Sequence, residues 1–159
     1  MCCHKNQDVI DECNKLFDEN GEAIFYKVVT TRTYHDDQII VESIYGKYDW
    51  KPGSNEAVIK SNKEYDVKGI RNPKGFHVCI TKKDAMKLLH FYELFFSSIM
   101  VKKNFCMIEV VCKKEHLMKA GYSSIYGSDD KQAVFSQVII TQQEWDKHVE
   151  PNFSRENQS

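Results

Sequence analysis

Gly75-Phe76-His77-Val78-Cys79-Ile80-Thr81-Lys82-Lys83-Asp84-Ala85-Met86-Lys87-Leu88-Leu89 is the stretch on which the reading of the fold turns. Phe76, Val78 and Ile80 alternate with His77 and Cys79, the period-two pattern of a strand with two distinct faces. Thr81 follows at once as a helix N-cap, and Asp84 falls in the first turn, where a carboxylate suits the helix dipole. The spacing then predicts a helix from about Lys82 to Met100. Ala85, Leu88, Leu89, Tyr92, Phe95, Phe96 and Ile99 form one broad apolar face, with Met86 and Phe91 on its flanks. A strand running into so apolar a helix predicts a sheet packed by that helix.

Outward from this unit, residues Asp8 to Asp18 place Val9, Ile10, Cys13, Leu16 and Phe17 near a 3.6-residue repeat, a short amphipathic helix stopped at Asn20-Gly21. Ala23 to Thr31 is rich in β-branched and aromatic residues and predicts a strand, with Gln38 to Tyr45 as its hairpin partner across Tyr34-His35-Asp36-Asp37. Trp50-Lys51-Pro52-Gly53 reads as a turn, with short strands at Ala57-Val58-Ile59 and Tyr65-Asp66-Val67. Downstream, Phe105 to Cys112 is a strand, Lys114 to Ala120 a helical turn closed by Gly121, and Tyr122 to Lys131 a loop. Ala133 to Ile140 is the last strand, and Thr141-Gln142-Gln143-Glu144 opens a terminal helix with a capping box. The expected architecture is therefore α+β: one domain over residues 1–152, with a central mostly antiparallel or mixed sheet, one long helix at about 82–100, and short N- and C-terminal helices. Residues 153–159 are expected to form a flexible tail.

The chain has 159 residues, of which 12% are aromatic, enough for one core without metal or disulfide staples. Its 22 Lys and Arg balance 23 Asp and Glu for a net charge of -1. That balance argues against a nucleic-acid footprint spread over the whole domain. The first residues lack a basic-then-apolar export profile, and the apolar-rich stretch Ala85 to Val101 is broken by Lys87, His90 and Glu93, too polar to span a bilayer. A cytoplasmic location is expected, with the six cysteines as reduced thiols.

Three constellations hold residues that can carry chemistry. Cys2-Cys3-His4 with Cys13 offers zinc donors but lacks the paired short spacings of a structural site, so no metal and no cofactor are expected. His77 and Cys79 share a strand face, yet sit about 6–7 Å apart along it, too far for a base and a nucleophile to bond directly. Arg32 and His35, beside the hydroxyls of Thr33 and Tyr34, have the donors to hold a phosphate, against the alternative of a solvated turn. The ligand-binding candidates are accordingly Arg32, His35, Tyr45, Trp50 and His77. No phosphate loop, dinucleotide fingerprint, zinc-protease motif or nucleophile elbow is present.

The strand–helix unit from Gly75 to Leu89 resembles a G-[FI]-H-[VAF]-x-x-[TN]-x-x-[DE]-A pattern of small uncharacterised phage, viral and bacterial domains. The likeness extends to Tyr45–Gly53 and Ala133–Val138. The same unit is similar to the glycine-started strand and helix of ADP-ribosyltransferase-like folds, which implies a catalytic Glu on a late strand. Here that strand reads Val134-Phe135-Ser136-Gln137, without Glu, and the early strand lacks His-Gly. The resemblance thus implies a fold and not an activity.

The leading expectation is an intracellular binding or regulatory module without a catalytic set, conceivable as a viral or phage accessory protein. Phe91 and Phe95 widen the helix's apolar stripe beyond what one sheet face needs, and so mark an interface with a protein partner or a second copy. The competing expectation is an enzyme or binder acting on a nucleotide or another phosphorylated small molecule.

Overall fold

The computed structural model describes residues 3–33, 39–43, 48–57, 75–96, 104–123 and 130–148. In chain order the elements begin with β1 (Cys3–Lys5), α1 (Gln7–Leu16), β2 (Glu22–Thr33), β3 (Ile39–Ser43), β4 (Asp49–Trp50) and β5 (Gly53–Glu56). They continue with β6 (Phe76–Cys79), α2 (Lys82–Phe96), β7 (Asn104–Lys113), a 3-10 turn (Lys114–His116), β8 (Leu117–Ser123), β9 (Asp130–Phe135) and β10 (Gln137–Ile140). A helical segment over 142–148, here α3, closes the described chain.

Local chemistry explains several boundaries. Asn6 caps α1, its Oδ1 accepting from the amides of Asp8 at 3.0 Å and Val9 at 3.2 Å. The turn into β2 rests on Asp18 Oδ1, which accepts from Asn20 and Glu22, and on Gly21 at φ +72, a region open to glycine at little cost. Thr81 caps α2 through the Asp84 amide at 3.1 Å, while its hydroxyl donates to the Asp84 carboxylate. Asn55 is wholly buried and organises the turn at Lys51–Gly53, donating to both of those carbonyls and accepting from the Lys51 amide and the Tyr48 hydroxyl.

Among the described residues ten strands form one sheet in the order β1-β8-β9-β6-β2-β7-β10-β5, with β3 attached to β2 and β4 to β3. Every pairing among them is antiparallel. Only Ser136 separates β9 from β10, so the ends of those strands lie within about two strand residues, roughly 7 Å. The path β9-β6-β2-β7-β10 therefore returns to the segment from which it started. The sheet has to curl into a ring, turning its corner where one strand bends and changes partners. The bend is held by Ser136, whose amide donates to the His116 carbonyl at 2.9 Å and whose carbonyl accepts from the Ala57 amide at 2.8 Å.

The main core fills this ring. Phe25 and Phe135 meet at 5.0 Å between ring centroids, Phe17 leans on both, and Trp50 and Tyr48 pack on Phe76. Val29, Val78, Val110, Val138 and Ile140 complete it, and α1 closes it with Val9 and Cys13. A second, smaller cluster lies on the outer face, where Ala85, Leu88 and Tyr92 of α2 cover Val28 and Cys79.

These two clusters correct the expected fold class. An α+β domain built as a sheet packed by one long helix would put that helix in the main core, yet no α2 residue belongs to it. The chain is mostly sheet, the sheet buries its apolar face against itself, and α2 is a patch on the outside. The described helix ends at Phe96, and residues 97–100 of the expected span lie outside the described residues. The expected helical turn at Lys114–Ala120 is also revised. Only Lys114–His116 is helical, and Leu117 onward is strand, because pairing with β9 on one edge and β1 on the other supplies ladder bonds that local propensity does not foresee. The expected short strands at 57–59 and 65–67 and the tail at 153–159 fall on, or mostly on, residues outside those described.

Candidate functional site around His77

β6 places His77 on the outer face of the ring. Opposite it on β9 stands Val134, and two pairs further along Cys79 faces Gln132. On the other side β6 meets β2 through a single pair, Tyr26 opposite Cys79. From Val29 onward that edge of β2 is taken by β3. Lys27 sits between the two ladders and sends its Nζ to the His77 carbonyl oxygen at 2.7 Å. An ammonium thus serves as donor where the neighbouring backbone ladder has run out.

The electrostatics follow from burial. Loss of water pushes the Lys27 ammonium down to about 8. Burial, followed by the Lys27 charge, lowers His77 to about 4, while a hydrogen bond with the Gln132 side chain works weakly the other way. His77 is consequently a neutral imidazole at physiological pH. Burial raises the Cys79 thiol to about 12, although Lys27 opposes that rise. A thiol so high is a poor nucleophile, and a histidine so low is a poor base. The cluster is suited to hydrogen bonding rather than to proton transfer.

The other expected site residues do not gather here. Trp50 is 4% exposed and belongs to the main core beside Phe76. Arg32 lies on β2 opposite Ile40, but its side chain, with the whole of His35 and Tyr45, lies outside the described residues. Phe91 is half-buried at the edge of the outer cluster, and Phe95, 40% exposed, stacks on it at 5.7 Å. Cys13, part of the N-terminal zinc reading, is in the main core with its thiol raised to about 12 by burial. No group of three or more potential metal ligands occurs among the described residues.

Two arrangements escaped the sequence reading. Ser136 Oγ lies 3.4 Å from His116 Nδ1, whose Nε2 is 3.4 Å from a Glu115 carboxylate oxygen. The order serine, histidine, glutamate has the form of a nucleophile relay, but the Ser136 amide is already bonded to the His116 carbonyl and cannot serve as an oxyanion donor there. These residues clamp the strand corner. At the C-terminal end, Glu144 is nearly buried, and its Oε1 accepts from the Glu109 amide at 3.0 Å and pairs with His148 Nε2 at 2.7 Å. Neither set was legible beforehand, because each depends on where the corner at Ser136 brings distant segments together. An open depression of about 470 Å³ next to Glu115 is lined by Asn20, Gly21, Glu22, Lys113 and Lys114, with lysines and glutamates offsetting one another.

Compared with known proteins, the chain matches no family model, no curated protein and no solved structure. No helix among the described residues is long and apolar enough to cross a membrane.

Proposed function

We propose that this domain is a binding module, acting in the cytoplasm, whose contact surface is the outer side of the last turns of α2. One observation carries the reading. Leu94 is 65% exposed and Phe95 40% exposed, and at helical spacing they run with the half-buried Phe91 along the flank of α2 next to the side that carries Ala85, Leu88 and Tyr92. Apolar side chains of this size, neighbouring one another at the surface, are characteristic of protein contact sites. α1 is engaged elsewhere, since Cys13 and Phe17 pack into the main core. The partner class is a protein presenting an apolar groove or face, with a second copy of the chain as the simplest instance. The surface lies in the turns of α2 that follow the Gly75–Leu89 unit, the part resembling small phage, viral and bacterial domains.

Phe95→Asp tests this. The side chain is 40% exposed and stacks on Phe91, so the substitution should cost no more than about 1.5 kcal/mol, the worth of one aromatic pair, and leave the chain folded. Association should be lost, read as self-association by light scattering and as partner contacts by proximity labelling in cells. A folded Phe95→Asp variant that keeps every association of the parent chain would place the contact surface elsewhere. An unfolded variant would assign Phe95 to the fold, and Leu94→Asp then repeats the test from the most exposed position.

A further inference from the structure

The ring of strands is not uniformly joined. β2 and β7 share ten consecutive pairs, from Glu22 opposite Lys113 to Thr31 opposite Asn104. β6 and β9 share four. The two remaining ladders have one pair each: Tyr26 opposite Cys79 between β2 and β6, and Ile139 opposite Val111 between β10 and β7. The fifth junction is the chain itself at Ser136. The ring therefore has two bonded parts, β2 paired with β7 and β6 paired with β9, the second continued through Ser136 into β10, and the parts meet along two thin seams.

Each seam is continued by a charged side chain in place of a strand. Lys27 donates to the His77 carbonyl at one, and Glu144 accepts from the Glu109 amide at the other. They differ in what lies over them. α2 bridges the β2–β6 seam, with Ala85, Leu88 and Tyr92 packed on Val28 and Cys79 from both sides. The β7–β10 seam is bridged by the first turns of α3. There the Thr141 hydroxyl accepts from the Glu144 amide at 3.2 Å, His148 holds the Glu144 carboxylate, and Trp145 touches the core.

We infer that α3 is a strap across the β7–β10 seam, fastened by Glu144, and that the barrel opens there before it unfolds elsewhere. Opening separates Ile108 and Val110 from Val138 and Ile140 and gives access to Cys106, which is half-buried on the inner side of β7. Regions with few backbone pairs are those from which sub-global opening is drawn.

Hydrogen exchange on the whole chain, with thiol labelling of Cys106, tests the strap. Glu144→Ala should speed exchange at Glu109, Val111 and Ile139 by about tenfold to a hundredfold, the effect of losing a hydrogen bond to a charged group. Cys106 labelling should accelerate in parallel, while the Phe25 and Val29 amides in the long ladder keep their rates. Glu144→Gln, which retains an acceptor, should fall between Ala and the parent chain. Equal acceleration at every amide would show that Glu144 supports only global stability, and unchanged exchange at Val111 and Ile139 would show that the seam does not depend on it. Either result overturns the strap. If Glu144→Ala does not fold, His148→Ala removes one of the carboxylate's partners and should give the same pattern at smaller amplitude.

Discussion

Lys27 brings an ammonium to a place where backbone would ordinarily bond to backbone, beside His77, which is first stripped of water by burial and then faces that charge. Its imidazole is held neutral, with a folded-state value near 4 against 6.5 in the unfolded chain. Between those values the unfolded state binds the extra proton, so His77's contribution is complete above pH 6.5 and is lost as pH falls toward 4. The slope is at most about 1.4 kcal/mol per pH unit, one proton's worth. Denaturant titrations from pH 7 to 4 should show this loss in the parent chain and a shallower one in His77→Gln. Equal slopes would mean that His77 titrates normally. Gly75 is constrained differently, by space. A Cβ there would lie 2.7 Å from Val134 Cγ1 and 2.9 Å from the Phe135 carbonyl oxygen, so the chain passes β9 too closely for any side chain. Gly75→Ala is expected to cost about 1–3 kcal/mol, the usual penalty of overpacking. A melting temperature unchanged by that substitution would contradict the close approach.

Among the elements, β2 and β7 were legible from sequence because alternating β-branched and aromatic residues require a pleated, half-buried setting whatever their neighbours. α1 and the start of α2 were legible for a similar local reason, the spacing of Val9 and Cys13 and the Thr81 cap acting within the element itself, although α1 stops at Leu16 and the expected stop at Asn20-Gly21 is instead the turn into β2. β8 was not. Leu117-Met118-Lys119-Ala120 favours helix by propensity, and it becomes strand only through partners at Cys3–Lys5 and Asp130–Phe135. The bend at Ser136 left no signal either, because nothing in Val134-Phe135-Ser136-Gln137 marks a change of partner. Of the proposed site, Phe91 and Phe95 could be found by helical spacing, while Lys27 and Glu144 could not, since their roles exist only at seams that the topology creates. The ranking of elements has a stability consequence. Phe25→Ala, in the ring interior between Phe17 and Phe135, should cost about 3–5 kcal/mol. Leu89→Ala, on a half-buried position of the outer helix, should cost visibly less. The reverse order in a denaturant titration would return α2 to the centre of the fold.

At the scale of the whole molecule, binding surface and core are separate. The surface proposed on α2 rests on the smaller outer cluster, so it can be altered without reaching the ring interior, and the ring can open at the β7–β10 seam without reshaping α2. One feature bears on how the molecule is made. β1 pairs with β8, Cys3 opposite Ser123, and β6 finds its four-pair partner only in β9. On a ribosome, then, β1 waits until Leu117–Ser123 has emerged, and the ring stays open until Asp130–Ile140 has left the exit tunnel. Such non-local pairing is slow to form and leaves apolar strand faces uncovered in the interval. Nascent chains halted before residue 130 should accordingly be held by chaperones or aggregate, and release of the last dozen strand residues should be the step at which protease resistance first appears.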